Sequence, residues 1–340
     1  MANGIHGEGR RPENRLIDLY SRKLDYLRIS ITDRCNLRCT YCVPHLPVKH
    51  YLHREILTYE EILRLVRVMA RLGVRKIRVT GGEPLVRLGA VDFLGKLCRV
   101  EGIEEVTLTT NGLLLAENVD GIYGAGVRRI NVSLDTLDRE KYRRITGVDA
   151  LDRVWKGILA AEKRGFSPIK INAVALRGVN DREIEALARL SMDRPFHIRF
   201  IEYMPIGERA ADGSQPLLAP EIAERISAWG PLEPVERGQS DGPAQRYRFA
   251  GAAGEVGLIR PLSHHFCSSC NRIRLTANGQ LRTCLLSDRQ EDLKGPLRAG
   301  QNDEALAGII LRAARLKPLA HNLVDHAHGA VKGRMSAIGG

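Results

Sequence analysis

Six short runs rich in β-branched and other apolar residues recur along the first two hundred positions, at 26–32, 75–80, 105–110, 128–134, 168–174 and 196–201. Between most of them apolar residues fall at helical spacing, over 58–72, 89–99, 114–124, 151–164 and 181–192. In the first of these, Ile62, Leu65, Val66 and Met69 share one face behind Thr58, which can cap the helix. Alternating strands and helices predict a parallel sheet with crossover helices. Six units fall short of the eight that close a full barrel. The expected fold is therefore α/β, an incomplete TIM-like (βα)6 barrel over 23–235, preceded by a loosely ordered arm over 1–22.

Side chains alternate between the two faces of a strand. One face carries Arg28, Ser30 and Thr32, then Lys76, Arg78 and Thr80, then Thr107, Thr109 and Asn111. It continues through Asn131, Ser133 and Asp135, then Lys170 and Asn172, then His197 and Arg199. The opposite face is Leu, Ile, Val and Phe. An ordinary barrel interior is apolar; here the apolar face must pack on the helices and the polar face must line a lumen. Parallel strands are normally covered on both sides, so a flat sheet with one solvated face suits them poorly. Burying Lys or Arg without a partner is costly, and such a lumen calls for an anionic, phosphate-bearing ligand.

After about residue 205 the pattern changes. A Gly/Pro/Ser-rich stretch leads to a predicted helix near 219–229, short strands at 245–250 and 254–259, and helices over 302–315 and 318–328. Residues 236–328 read as a C-terminal domain, and 329–340 as a tail ending in Gly339 and Gly340.

Of the 340 residues, 44% are hydrophobic and 27% charged, with a formal net charge of +12. That excess favours anionic partners without choosing among them. No apolar run approaches the roughly 18–20 residues that span a bilayer, and the polar N-terminus lacks a secretory signal. No membrane partner and a cytoplasmic location are expected. The seven cysteines, odd in number and without a signal peptide, argue against a disulfide framework. Cys98, alone in a helical stretch, reads as a small apolar packing residue; the other six form two triplets.

Cys35, Cys39 and Cys42 follow the first strand in TDRCNLRCTYCVP, where barrel-like folds place their reactive loops. A structural zinc site takes four protein ligands, and zinc here would need His45 or His50 as the fourth. An iron–sulfur cube held by three thiolates leaves one iron open. With Tyr41 before the third cysteine, this C-x3-C-x2-C loop resembles the signature of radical S-adenosylmethionine (SAM) enzymes. GGEP, Gly81 to Pro84, is similar to that superfamily's methionine-binding motif.

Cys267, Cys270 and Cys284 form C-x2-C-x13-C. Zinc is an alternative here too, with His264 or His265 as a fourth ligand. Arg272 and Arg274, alternating on a short strand beside the motif, suit recognition of phosphates and carbonyls. They favour a metal site open to a ligand.

From about Asp18 onward the chain resembles the GTP 3′,8-cyclase family of molybdenum cofactor biosynthesis, in YLRISITDRCNLRCTYC, KIRVTGGEPL, LTTNG, RRINVSLD, RFIEYMPIG, FCSSCNRIRL and the terminal IGG. The resemblance implies a radical SAM barrel with a C-terminal extension carrying a second cluster. It implies two 4Fe-4S clusters, one on Cys35, Cys39 and Cys42, the other on Cys267, Cys270 and Cys284. SAM, bound at the first, would be held by Tyr41, Gly82, Ser133 and Met204. GTP would be held by Arg28, Arg78, Thr109, Lys170, Arg272, Ile273 and Arg274, with Lys76 and Arg199 as helpers and the second cluster's open iron on the guanine edge. Arg272, Arg274, Gly339 and Gly340 would act in catalysis. The implied reaction is hydrogen abstraction from C3′ of GTP by a radical derived from SAM, followed by attack of C3′ on C8. The product is (8S)-3′,8-cyclo-7,8-dihydroguanosine 5′-triphosphate.

The partners this implies are GTP, an electron donor such as a flavodoxin or ferredoxin, the cyclic pyranopterin monophosphate synthase that acts on the product, and a second copy in a homodimer. Nucleic acid is not expected. Two alternatives remain at this point. One is a radical SAM enzyme with an auxiliary cluster that modifies peptides, against which Arg-x-Arg and the terminal GlyGly argue. The other is a zinc-dependent nucleic-acid-binding protein, disfavoured because only 5% of residues are aromatic and stacking on single strands needs exposed aromatics.

Overall fold

The computed structural model describes residues 15–42, 49–204, 206, 216–236, 238, 242–321, 331 and 334–339. The six expected strands form as β1 (Tyr26–Ser30), β2 (Lys76–Thr80), β3 (Glu105–Thr110), β4 (Arg129–Ser133), β5 (Ile169–Ala175) and β6 (Phe196–Glu202). They lie side by side in chain order, each parallel to the next. The crossovers carry α1 (Tyr59–Arg71), α2 (Ala90–Cys98), α3 (Leu115–Gly124), α4 (Arg139–Thr146), α5 (Leu151–Arg164) and α6 (Ile184–Asp193).

Local chemistry sets the helix limits. Thr58 accepts from the Glu61 amide at 3.2 Å while the Glu61 carboxylate accepts from the Thr58 amide at 2.7 Å, a reciprocal cap on α1. The pattern above gave no sign of α4, because its sequence REKYRRIT is mostly charged. Its signals were the ends: Asp138 caps it by accepting from the Lys141 amide at 2.7 Å, and Gly147 leaves it in the left-handed region at φ 76°. The apolar strand face, with Leu27, Ile29, Ile77, Leu108 and Ile171 fully buried, packs on Ile62, Leu65 and Met69 of α1 and their counterparts.

Beyond β6 come α7 (Ala219–Ser227), β7 (Leu232–Pro234), β8 (Gln245–Phe249), β9 (Glu255–Ile259), β10 (Arg272–Leu275), β11 (Gln280–Arg282), β12 (Glu291–Asp292), α8 (Lys294–Arg298), α9 (Asp303–Arg315) and α10 (Met335–Ile338). These later strands join the same sheet. β9 pairs parallel to β6, and β10 pairs parallel to β1 across the other edge. The order β12-β11-β10-β1-β2-β3-β4-β5-β6-β9-β8-β7 thus places eight parallel strands in a row with antiparallel hairpins at both ends, and the sheet stays open.

The helix expected over 318–328 does not begin where the sequence suggested: residues 318–321 are non-helical, and the rest lies outside the described residues. Arg22 accounts for this, because its guanidinium takes the carbonyls of Pro318 at 2.6 Å and Leu319 at 3.1 Å, which a helix would need for itself. Cys98 is half-buried on α2; a Cβ added at Gly126 would lie 3.3 Å from its sulfur.

Candidate active site

The polar strand faces enclose a cavity of about 330 Å³. Both cysteine triplets line it, at opposite ends of the strands. Cys35 follows β1, at the carboxyl end. Cys270 precedes β10, which runs parallel to β1, so the second triplet lies at the amino end. At about 3.3 Å per residue, the five residues of β1 set the two ends roughly 16 Å apart. The expectation that reactive loops gather at one end holds for the first triplet and not for the second.

At the carboxyl end, the cysteine loop and GGEP are sewn together through backbone. The Gly82 amide donates to the Thr32 carbonyl at 2.7 Å and the Glu83 amide to the Arg34 carbonyl at 2.8 Å. A Cβ on Gly82 would lie 2.3 Å from the Arg34 oxygen, so this approach requires glycine. The Glu83 carboxylate is fully buried and accepts from the Asn111 amide at 2.7 Å, the Thr110 hydroxyl at 2.8 Å and the Leu85 amide at 3.0 Å. Burial nonetheless pushes its pKa up to about 7, because those bonds only partly offset desolvation. Asn111 in turn directs its amide to Asn36 at 2.7 Å and to the Cys35 sulfur at 3.7 Å.

The far side of the cysteine loop rests on α4, through the Arg38 and Thr40 amides on the Thr146 and Ile145 carbonyls. Tyr41 donates to Asp135 at 2.7 Å. Burial raises Asp135 to about 6 and, with Asp135 alongside, pushes Tyr41 well up. Ser133 and Met204 line the same end of the cavity.

At the amino end, the β10–β11 hairpin, with Arg274 opposite Arg282, places Cys270 just before one strand and Cys284 just after the other. Burial raises Cys270, but Arg272 and Lys317 outweigh burial and bring its pKa down to about 6, favouring the thiolate. At the opposite, carboxyl end, Glu202, buried as the last residue of β6, accepts from the Leu262 and Ser263 amides, at the start of the segment that leads from β9 to this triplet.

Between the ends lie Arg28, Lys76, Arg78, Lys170, Arg199, Arg272 and Arg274, all lining the cavity. Register brings Arg274, Arg28 and Arg78 side by side on β10, β1 and β2. Burial, with Arg274 and Arg78 adjacent, drives Arg28 well below its ordinary pKa. Burial, with Arg272 adjacent, brings Arg274 to about 9. Burial, with Arg199, Arg78 and Lys76 nearby, brings Lys170 to about 6. Lys76 is met by Glu105 at 2.5 Å. The hydroxyls of Tyr26 and Thr109 and the side-chain oxygen of Asn172 are buried on this face without hydrogen-bond partners among the described residues. The two orphaned hydroxyls beside crowded cations can donate to a bound polyanion, and the Asn172 oxygen can accept from a hydroxyl or amine of the same ligand.

Tyr26 was not foreseen, because an aromatic opening a strand reads as apolar. The available signal was its parity with Arg28, which puts it on the lumen face. Ile273 points the other way, 1% exposed in the core opposite Leu27, so only its backbone can meet a ligand.

The C-terminal tail reaches this lumen. Gly339 accepts from Arg274 at 2.6 Å, and the Ser336 amide bonds the Cys42 sulfur. A Cβ on Gly339 would lie 2.7 Å from the Thr80 hydroxyl. Ile338, Val331 and Ile206 anchor the tail in a small apolar cluster. Gly340, like His45, lies outside the described residues.

Among the described residues no three His, Cys, Asp or Glu side chains are drawn together tightly enough for one metal ion. His50 instead lies 3.2 Å from Asp33. Three free thiols facing one cavity at each end are the donor set of an iron–sulfur cube with one iron open to a ligand.

Comparison with known proteins gives the same picture. Residues 29–191 match the radical SAM superfamily, and residues 196–323 match the molybdenum cofactor synthesis C family. A GTP 3′,8-cyclase of Moorella thermoacetica is 50% identical over 306 residues, covering 90% of this chain and 95% of that protein. One of Pelotomaculum thermopropionicum is 47% identical, covering 95% and 99%. In fold, the chain is similar to Streptococcus suis SuiB bound to S-adenosylmethionine, with a TM-score of 0.57 at 19% identity over 90% of this chain and 72% of that one. The similarity to curated relatives thus runs along nearly their whole length, and the chain that builds this lumen belongs to the GTP 3′,8-cyclase family of the radical SAM superfamily.

Proposed function

We propose that the lumen binds GTP between two 4Fe-4S clusters and closes the bond between C3′ and C8, the first step of molybdenum cofactor biosynthesis. The observation that carries this reading is the single cationic cavity onto which both cysteine triplets open. Cys35, Cys39 and Cys42 would hold the first cluster, which with SAM supplies a hydrogen-abstracting radical when bound. Cys267, Cys270 and Cys284 would hold the second, whose open iron offers a seat for the guanine edge.

The chain contributes position, charge and exclusion of water. The Gly82 backbone, Tyr41 fixed by Asp135, Ser133 and Met204 cradle SAM at the carboxyl end. Arg28, Arg78, Lys170 and Thr109, with Lys76, Arg199 and Tyr26, hold the triphosphate and ribose. Arg272, Arg274 and the Ile273 backbone orient the guanosine near the second triplet. Gly339, in contact with Arg274, closes the lumen and would act together with Gly340, and a closed lumen keeps a radical from solvent-borne hydrogen donors. At about 1.5–3 kcal/mol per charge-assisted hydrogen bond, a few of these contacts suffice to hold a nucleotide.

Residues 1–22, 23–235, 236–328 and 329–340 serve in this reading as arm, barrel, cluster-bearing extension and tail. A flavodoxin- or ferredoxin-like donor would supply electrons, cyclic pyranopterin monophosphate synthase would take the product, and a homodimer is the expected assembly. Among the described residues no helix is long and apolar enough to cross a membrane.

Anaerobic reconstitution with iron analysis tests the reading. Serine at Cys35, Cys39 or Cys42 should abolish SAM cleavage. Serine at Cys267, Cys270 or Cys284 should halve the iron, spare SAM cleavage and abolish cyclisation. Iron sufficient for only one cluster, or tightly bound zinc, would refute it.

A further inference from the structure

Lys317 stands just past the end of α9, outside both cysteine motifs, yet it is only 3% exposed. Its ammonium donates to the carbonyl oxygens of Arg272 at 2.9 Å and Thr283 at 2.5 Å. Its third contact is the Cys270 sulfur. An ammonium has three donors, and each of these finds an acceptor. Among the described residues no carboxylate pairs with it.

The placement of the two carbonyls is specific. Arg272 opens β10, two residues after Cys270, and Thr283 immediately precedes Cys284 at the end of β11. One buried cation therefore ties together the two arms of the hairpin that present these cysteines. Neighbouring cations complete a collar. Arg22 donates to the Cys267 carbonyl at 2.6 Å, and both the amide and the guanidinium of Arg272 bond the Cys270 sulfur.

A buried ammonium without a carboxylate is costly unless negative charge is supplied from elsewhere. Three thiolates around an iron–sulfur cube supply it. Charge and hydrogen bonds around cluster sulfurs set the reduction potential, and a cation favours the more negative, reduced state.

We propose that Lys317 is a positioning residue for the second cluster: it fixes Cys270 relative to Cys284, and its charge raises that cluster's reduction potential. The proposal rests on the reading that Cys267, Cys270 and Cys284 hold the cluster.

The test compares full-length, anaerobically reconstituted wild type with Lys317→Met, Lys317→Arg and Cys284→Ser, by iron content, melting temperature and EPR-monitored redox titration. Lys317→Met should keep the first cluster's signal while the second either titrates at a more negative potential or is lost with about half of the iron. Lys317→Arg, which keeps the charge and donors, should retain the iron and recover most of the potential. Wild-type potentials in Lys317→Met, or an Lys317→Arg variant no better than methionine, would overturn the proposal. Loss of both clusters with a lowered melting temperature would also overturn it, by assigning Lys317 to the general fold. If wild type carries one cluster's iron and Cys284→Ser leaves that unchanged, the cluster assignment itself falls.

Discussion

Replacing Lys170 by Met should weaken GTP binding by an amount that depends on pH, and the structure sets both size and sign. Burial, then Arg199, Arg78 and Lys76, depress this lysine from 10.5 to about 6 in the ligand-free lumen. At pH 7 roughly a tenth of the molecules then carry the ammonium, and charging the remainder costs about 1.4 kcal/mol. Against that stands a charge-assisted hydrogen bond to a phosphate, worth about 1.5–3 kcal/mol. The net contribution at pH 7 is therefore about 0–1.5 kcal/mol, at most about tenfold in affinity.

At pH 5.5 the ammonium is already present, and the full contribution, about 10- to 150-fold, should appear. Anion binding raises the lysine's pKa, to about 7–8 for a bond of this strength. The advantage of wild type over Lys170→Met is thus complete below pH 6 and lost as pH rises through the bound-state value. GTP binding near pH 7 should accordingly take up a proton. Calorimetric titration of the cluster-loaded proteins in two buffers of different ionisation enthalpy measures both effects. The nucleotide's own protonation is common to the two proteins and cancels in their ratio. A wild-type-to-variant ratio that stays flat from pH 6 to 9, or proton uptake unchanged by the substitution, would refute the reasoning.

Other expectations follow from single contacts. Gly339→Ala sets a Cβ 2.7 Å from the Thr80 hydroxyl at a backbone φ of 84°. Cyclisation should fall on the order of 100-fold while 5′-deoxyadenosine release and melting temperature persist; an active variant would show that the tail's contact with Arg274 is dispensable. Glu83→Gln turns an amide N–H₂ toward a site where only donors converge. A stability loss of about 1–3 kcal/mol should be visible as a lower melting temperature, and an unshifted melt would contradict the network. Tyr26→Phe removes a buried hydroxyl without a partner. GTP affinity should fall about tenfold with SAM affinity unchanged, and equal GTP binding would remove Tyr26 from the site.

Much of this lumen was legible in the chain because strand parity is a local property. Alternation alone put Arg28, Arg78, Thr109 and Lys170 on one face and Leu27, Ile77 and Leu108 on the other, since a strand's period of two fixes direction without knowledge of neighbours. The two triplets were equally plain, because chelation needs ligands close in sequence or on one hairpin. Helix α4 was hidden by its charge, because only Tyr142, Ile145 and Thr146 are buried and the cysteine loop rests on its last turn. The helix expected over 318–328 failed at its start because Arg22, nearly three hundred residues away, claims the carbonyls it needed.

What only the tertiary structure decided is which distant parts meet. Nothing local says that β10 pairs with β1, so that the second triplet opens on the amino end of the lumen that the first closes at the carboxyl end. Nor does spacing reveal that Lys317 clamps the second cysteine hairpin, or that Gly339 folds back between Ser30 and Thr80. These contacts join residues far apart in the chain, and their free energy lies in desolvation and shared charge that exist only once the sheet has brought them together.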